Sequence, residues 1–239
     1  MNGPRYLNAG ETALVVEFGH GIDPVTNARV LALDAALMQA ELAGLVECVP
    51  TYRSLMIHYD PLVLSRAALV GAVNACLTTP IPAIVPRKLW TLPACYDSDF
   101  AEDMDHVCQA TGLTRANVIQ SHANAHYPVY MYGFAPGWAY LGGLPAKLFV
   151  PRRSAPRPQI PPGSLIIAGG QAIVATMAMP SGWHILGRTP ERLFRLDRDR
   201  VFLVDVGDVL TFDPVDRTTF DALERRAAAG ETLARSVPL

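Results

Sequence analysis

At 239 residues, half of them hydrophobic, the chain has enough apolar side chains for one large domain or two modest ones with packed cores. A formal net charge of -2, with aromatics not interleaved among Lys and Arg, excludes nucleic acid as an expected partner. The first ten residues hold no apolar leader, and later apolar runs are broken by Gly, Pro or charge before spanning length, which predicts a cytoplasmic protein with no membrane partner.

The chain opens with an extended apolar stretch, Ala13 to Phe18, and Asp23-Pro24 then signals a helix start. Val30, Leu33, Leu37 and Ala40 recur at helical spacing, predicting an amphipathic helix from Val25 to Leu42 that Gly44 stops. Strands fit Val46 to Val49 and Ser54 to Tyr59, and Asp60-Pro61 turns the chain into a second helix over Ala67 to Leu77. The result is a β-α-β-β-α unit, a small α+β domain over residues 1–80. Three prolines between Thr79 and Pro86 discourage both helix and central strand, which places a linker at 81–90 and a second domain at 91–239.

In that second domain Asp97 to Gly112 reads as a helix, and Thr114 caps a further short one to about His122. From Tyr127 to Phe212 short β-prone runs alternate with Gly/Pro turns: Val129–Tyr132, Leu165–Ile167, Ile173–Met177, Trp183–Leu186, Phe202–Val204 and Val209–Phe212. Strands at that spacing suggest a closed barrel or a sandwich. The tail after Thr218 is helical in pattern through Ala229 and then frays. Cys48, Cys76, Cys95 and Cys108 form no Cys-x-x-Cys pair and read as reduced thiols.

Phosphate-loop, dinucleotide, zinc-protease and nucleophile-elbow motifs are all missing. Three other segments stand out. Tyr130 to Pro145 packs Gly133, Gly137, Gly142 and Gly143 among aromatics, which suits either close approach to a ligand or an aromatic barrel wall with tight corners. Pro151 to Ser164 places Arg152, Arg153 and Arg157 on a proline-stiffened loop, fit for carboxylate or phosphate recognition or simply solvated. In the third, Gly169-Gly170-Gln171 offers either a small anion nest or a hairpin turn, and Pro180 to Pro190 follows with Trp183 and Arg188.

Between Arg115 and Lys147, and between Arg157 and Arg188, no Asp, Glu, Lys or Arg occurs, leaving His122, His126 and His184 as the groups that titrate near neutrality. Such segments bind and orient a substrate better than they run its chemistry, so carboxylates are expected from elsewhere. His122 and His126 share a helical spacing suited to metal, but no third ligand declares itself, and no metal site is predicted.

These segments, in this order, resemble the KipI/allophanate hydrolase subunit 1 family, which includes component B of the bacterial ATP-dependent 5-oxoprolinase. The resemblance rests on Val129-Tyr-Met-Tyr-Gly-Phe-Ala-Pro-Gly-Trp138, Tyr140-Leu-Gly-Gly-Leu144, Pro151 to Arg157, Pro161 to Ser164 and Gly182 to Pro190. In the N-terminal half it rests on Gly10 to Gly19, Ile22 to Pro24 and Val49 to Leu55. It implies an α+β fold in which a small N-terminal α+β domain precedes a cyclophilin-like antiparallel β-barrel domain. It also implies a 5-oxoprolinase that works only in a complex with component C, a second cyclophilin-like protein, and a third protein, component A. ATP with Mg2+ would be cosubstrate, a small amide the substrate, and no tightly bound cofactor is expected.

On that resemblance His122 would serve hydrogen bonding or proton transfer, with Gly169, Gly170, Gln171 and Tyr130 holding the substrate and Arg152, Arg153, Arg157 and Arg188 holding anions. The sequence departs from the family at Ala123, at Trp138 and after Gln171, where it reads Ala-Ile-Val-Ala-Thr176. Two alternatives follow: an inhibitor that binds a sensor histidine kinase, or part of an enzyme for another small amide or urea-like substrate.

Overall fold

The computed structural model describes residues 3–78 and 88–239. It divides into two compact units, Met1–Val85 and Pro86–Leu239. The prolines of the expected linker lie outside the described residues, while Lys88 to Trp90, also placed in that linker, begin a strand.

The first unit contains β1 (Arg5–Asn8), β2 (Ala13–Glu17), α1 (Pro24–Gln39), β3 (Leu45–Pro50), β4 (Ser54–Tyr59) and α2 (Arg66–Thr78). Its sheet is antiparallel throughout, in the order β1-β2-β4-β3. Helix α1 starts where Asp23 accepts the Thr26 amide at 2.7 Å, and Pro24 occupies a first-turn position needing no N-H partner. Leu14 and Val16 on β2, and Leu55, Ile57 and Tyr59 on β4, point inward with period two. They meet Val30, Leu33 and Leu37 of α1 and Leu69 and Val73 of α2, which repeat every three or four residues.

The second unit contains β5 (Lys88–Ala94), α3 (Met104–Thr111), α4 (Arg115–Ala123), β6 (Tyr127–Tyr132) and β7 (Ala139–Leu141). After a short 3-10 turn come β8 (Arg157–Ile160), β9 (Ser164–Ala168), β10 (Gln171–Val174), β11 (Met179–Ser181) and β12 (His184–Arg188). The chain ends in β13 (Val209–Pro214), α5 (Arg217–Ala228) and β14 (Arg235–Pro238). Eight strands form one sheet ordered β12-β9-β10-β7-β6-β13-β5-β14, and β8 and β11 form a separate ribbon.

The architecture is α+β, with two differences from the antiparallel closed barrel expected. Strands β5 and β13 run parallel, from Leu89 opposite Val209 to Ala94 opposite Pro214. The sheet does not close through a continuous ladder: past the end of β5, Cys95 and Arg188 exchange two backbone hydrogen bonds of 2.8 Å at an isolated bridge. The tail expected to fray instead pairs with β5 as β14, and Glu191 holds its approach by accepting the Leu233 and Ala234 amides at 2.6 and 2.7 Å.

Strands β9, β10 and β12 are buried on both faces, so they read as continuous apolar runs rather than alternating ones. Leu165, Ile167, Ala172, Val174 and Leu186 join the main core beneath α3 and α4. Ile166, Ala168, Ile173, Ala175 and Ile185 face the other way and form a second core with Trp138 and Trp183. A cleft lies over that second core.

Candidate functional site

A cleft of about 340 Å3 gathers side chains from all three glycine- and proline-rich segments. Phe134, Trp138 and Tyr140 come from the first, Arg152 and Pro156 from the second, and Pro180 to Trp183 from the third, with Ile173 of β10 among them.

The loop from β6 to β7 is held in an unusual shape. Ala135 N-H donates to Gly133 O at 2.9 Å across Phe134, whose φ of 72° lies in the left-handed region. A γ-turn of this hand is rare and strained for a side chain other than glycine. Thr176 Oγ1 fastens the loop through Pro136 O at 2.7 Å, and Gly137, at φ 70°, lies so close to Phe194 that a Cβ there would stand 2.4 Å from that side chain. Phe134 is 71% exposed and packs against the Trp138 indole at 70° with centroids 5.5 Å apart. Trp138 itself is buried, and its Nε1-H has no acceptor among the described residues. A buried donor left unpaired costs about 1–3 kcal/mol.

Arg152 lies over the Trp183 ring, its guanidinium carbon 5.7 Å from the centroid, and no ion pair of Arg152 is found among the described residues. Tyr140 packs edge-on to Trp183, and burial raises its phenol while Arg152 partly offsets the rise. Ser181 is buried and accepts the Trp183 amide at 3.1 Å. The lining contains no Asp, Glu, His, Lys or Cys. Chemically the cleft offers aromatic faces, the Arg152 cation and hydrogen-bond donors, with no carboxylate or imidazole base among the described residues that line it.

The other arginines are placed differently. Asp103, 3% exposed at the start of α3, accepts Arg153 Nη1 at 2.6 Å and Arg157 Nη1 and Nη2 at 2.8 and 2.9 Å. The Ile185 amide adds a fourth bond at 2.7 Å, and Glu102 lies 3.2 Å from Arg157 Nε. Burial pushes the Asp103 carboxyl up, yet the Arg157 and Ile185 hydrogen bonds and the two guanidinium charges outweigh it and hold the group below its ordinary value. This carboxylate therefore clamps both sides of the loop that presents Arg152 and Pro156. His184 Nε2 reinforces the clamp at Pro151 O, 2.9 Å away, with its ring stacked on His106. Arg188 sits elsewhere, bonded to Pro162 O at 3.0 Å and paired with Glu224 at 3.4 Å.

His122 is 1% exposed inside the main core, where Tyr96 Oη lies 2.9 Å from Nδ1 and Phe212 stacks on the ring. It does not line the cleft. Burial pushes its pKa down to about 3, so the ring is neutral at physiological pH. Its imidazole NMR shifts are expected to stay flat from pH 8 to 5; a titration step near 6.5 would contradict this burial. Because unfolding frees His122 to bind a proton, it contributes stability that is full above about pH 6.5 and declines as pH falls toward 3.

Gly169 and Gly170 form the two-residue turn between β9 and β10, with Ala168 opposite Gln171. The Gly169 amide is already bonded to Val150 O at 2.6 Å, and Gly170 rests on the Phe149 ring. Tyr130 is buried with its ring against Gly142. None of these four residues lines the cleft. Of the nine residues expected at the site, the cleft takes Arg152 alone and adds Phe134, Trp138, Tyr140, Ser181 and Trp183.

The family model for the carboxyltransferase domain, subdomain C and D, matches residues 4–204, which include every residue of this cleft. The chain belongs to this carboxyltransferase-domain family. Among curated members, the 5-oxoprolinase subunit designated B of Bacillus subtilis (strain 168) is 34% identical over 202 residues, covering 78% of this chain and 82% of the relative. The protein of the same name in Escherichia coli O157:H7 is 31% identical, covering 83% of this chain and 90% of that one. The crystal structure of TTHA0988 aligns with a TM-score of 0.75 at 32% identity over 85% of this chain and only 39% of that longer chain. Within the described residues of this carboxyltransferase-domain protein, no helix is long and apolar enough to cross a membrane. Nor do these residues contain a group of three His, Cys, Asp or Glu able to hold a metal ion.

Proposed function

We propose that this protein is one component of an ATP-dependent 5-oxoprolinase complex, and that its aromatic cleft binds and orients 5-oxo-L-proline. The single observation that carries this reading is the cleft's composition: aromatic walls, the unpaired charge of Arg152 and no carboxylate or histidine. A flat five-membered lactam fits between rings, and its carboxylate suits a guanidinium. The curated relatives named as 5-oxoprolinase subunits supply the reaction class.

In this reading ATP, with Mg2+, transfers its γ-phosphoryl group to the lactam carbonyl oxygen and leaves as ADP. Water adds at the activated carbon, the C-N bond opens to an acyl phosphate, and a second water releases phosphate and glutamate. Such chemistry is largely positioning and charge stabilisation. Since the described cleft lining holds no carboxylate, histidine or lysine, the groups that move protons are expected from partner proteins. We assign those roles to component C, a second cyclophilin-like chain, and to component A, with this chain's second unit as the cyclophilin-like counterpart.

Ile173 in the cleft lining favours a second reading, in which the substrate is another small amide with an apolar edge. Co-purifying the chain with its candidate components C and A, then following ADP and glutamate with and without 5-oxoproline, separates these. Coupled glutamate formation is expected. ATP hydrolysis stimulated by a different amide would transfer the assignment to that substrate, and absence of any complex would remove the reading of this chain as part of an assembly.

A further inference from the structure

One polar group in the cleft wall has its requirement unmet by the protein itself. Trp138 is 3% exposed, lines the cleft, and its Nε1-H finds no acceptor among the described residues. An indole nitrogen donates and never accepts, and buried donors are almost always paired. Trp90 shows the ordinary outcome in the same unit, donating to Asp208 Oδ2 at 2.8 Å. Around Trp138 the cleft supplies another donor in Arg152, and Ser181 Oγ accepts the Trp183 amide rather than the Trp138 indole.

Resting on the reading of this cleft as the substrate site, we infer that Trp138 is a specificity-determining residue whose indole N-H donates to a carbonyl or carboxylate oxygen of the bound ligand. The class selected is a small flat molecule with acceptor oxygens and no positive charge, because a cation would meet Arg152 and find no carboxylate in the lining. The nitrogen is closed to solvent in the resting cleft, with Phe134 packed against the indole from an exposed and strained turn. Opening that nitrogen to a ligand oxygen requires a shift of the side chains around the indole.

The chain has three tryptophans, so its indole N-H resonances are few enough to follow one by one in an isotope-labelled full chain. Trp138→Phe identifies the Trp138 signal by its loss and removes the donor while keeping an aromatic ring. The ligands are 5-oxo-L-proline, 2-pyrrolidone, which keeps the lactam alone, and cyclopentanecarboxylate, which keeps the carboxylate alone. On adding 5-oxoproline the Trp138 N-H is expected to move downfield while that of Trp90 stays in place. Trp138→Phe is expected to weaken binding about tenfold, the loss of one good hydrogen bond, while the variant stays folded. The single-feature ligand that still moves the signal identifies the accepting oxygen.

If Trp183 and Arg152 signals respond to 5-oxoproline while Trp138 stays still and Trp138→Phe binds equally well, this inference fails and the cleft reading stands. If no cleft signal responds to any of the three, both fall.

Discussion

Asp103→Ala is expected to lower the stability of the second unit by about 3–5 kcal/mol, because it leaves two partly buried guanidinium groups without their carboxylate. The size follows from geometry. Asp103 is 3% exposed and receives four hydrogen bonds, three from arginines and one from β12. Denaturant unfolding should show a lower midpoint with an unchanged slope, and the melting temperature should fall by roughly 10 °C. A loss below about 1 kcal/mol would mean that Glu102 or solvent satisfies Arg153 and Arg157 equally well. The pH dependence has a definite sign. The folded carboxyl lies below its unfolded value of about 4, so its contribution is complete above that pH and disappears as pH falls through the folded value.

Arg152→Gln is expected to do the opposite: leave the melting temperature in place and reduce substrate affinity by about 10- to 100-fold, the loss of one charge-assisted contact. Arg152 has no carboxylate partner among the described residues and rests on the Trp183 face, so the fold gives up little when its charge goes. Arg152→Lys should recover only part of the affinity, since a point charge lacks the planar fork that grips a carboxylate. Arg153→Gln, one residue along, should instead lower stability through its bond to Asp103. Measuring affinity and melting temperature for both variants separates the two arginines. Equal affinity of Arg152→Gln and the parent protein would move the anion site out of this cleft.

That contrast explains how far the sequence could be read. Period-two alternation at Leu55, Ile57 and Tyr59 and helical spacing at Val30, Leu33 and Leu37 are local signals, and the first unit's elements follow from them. Strand β5 was hidden because prolines precede it and Pro93 lies within it. Pro93 lies beyond the stretch from Lys88 to Thr91 that pairs with β14, so on that side of β5 the missing N-H takes no bond from the ladder. The tail β14 was hidden because its pairing with β5 is long-range.

At the site, the three segments were legible as unusual, and they do converge, but which side chains face the cleft was not. Four arginines look alike in sequence, and only the fold shows Arg153 and Arg157 bound to Asp103, Arg188 to Glu224, and Arg152 left over. Asp103 reads in sequence as one more acidic residue within the helix expected from Asp97, whereas the structure starts α3 at Met104 and leaves Asp103 at its N-terminal cap. His122 drew attention as a titratable group, but burial among Tyr96, Tyr127 and Phe212 is a property of the packed core that no local pattern reveals.

The most direct measurement is a crystal structure of the protein, assembled with its partner proteins, soaked with 5-oxo-L-proline. Ligand density is expected between Trp138 and Trp183 with its carboxylate on Arg152. Density elsewhere, such as the hollow beside Tyr96 and Arg115, with the aromatic cleft empty, would contradict it.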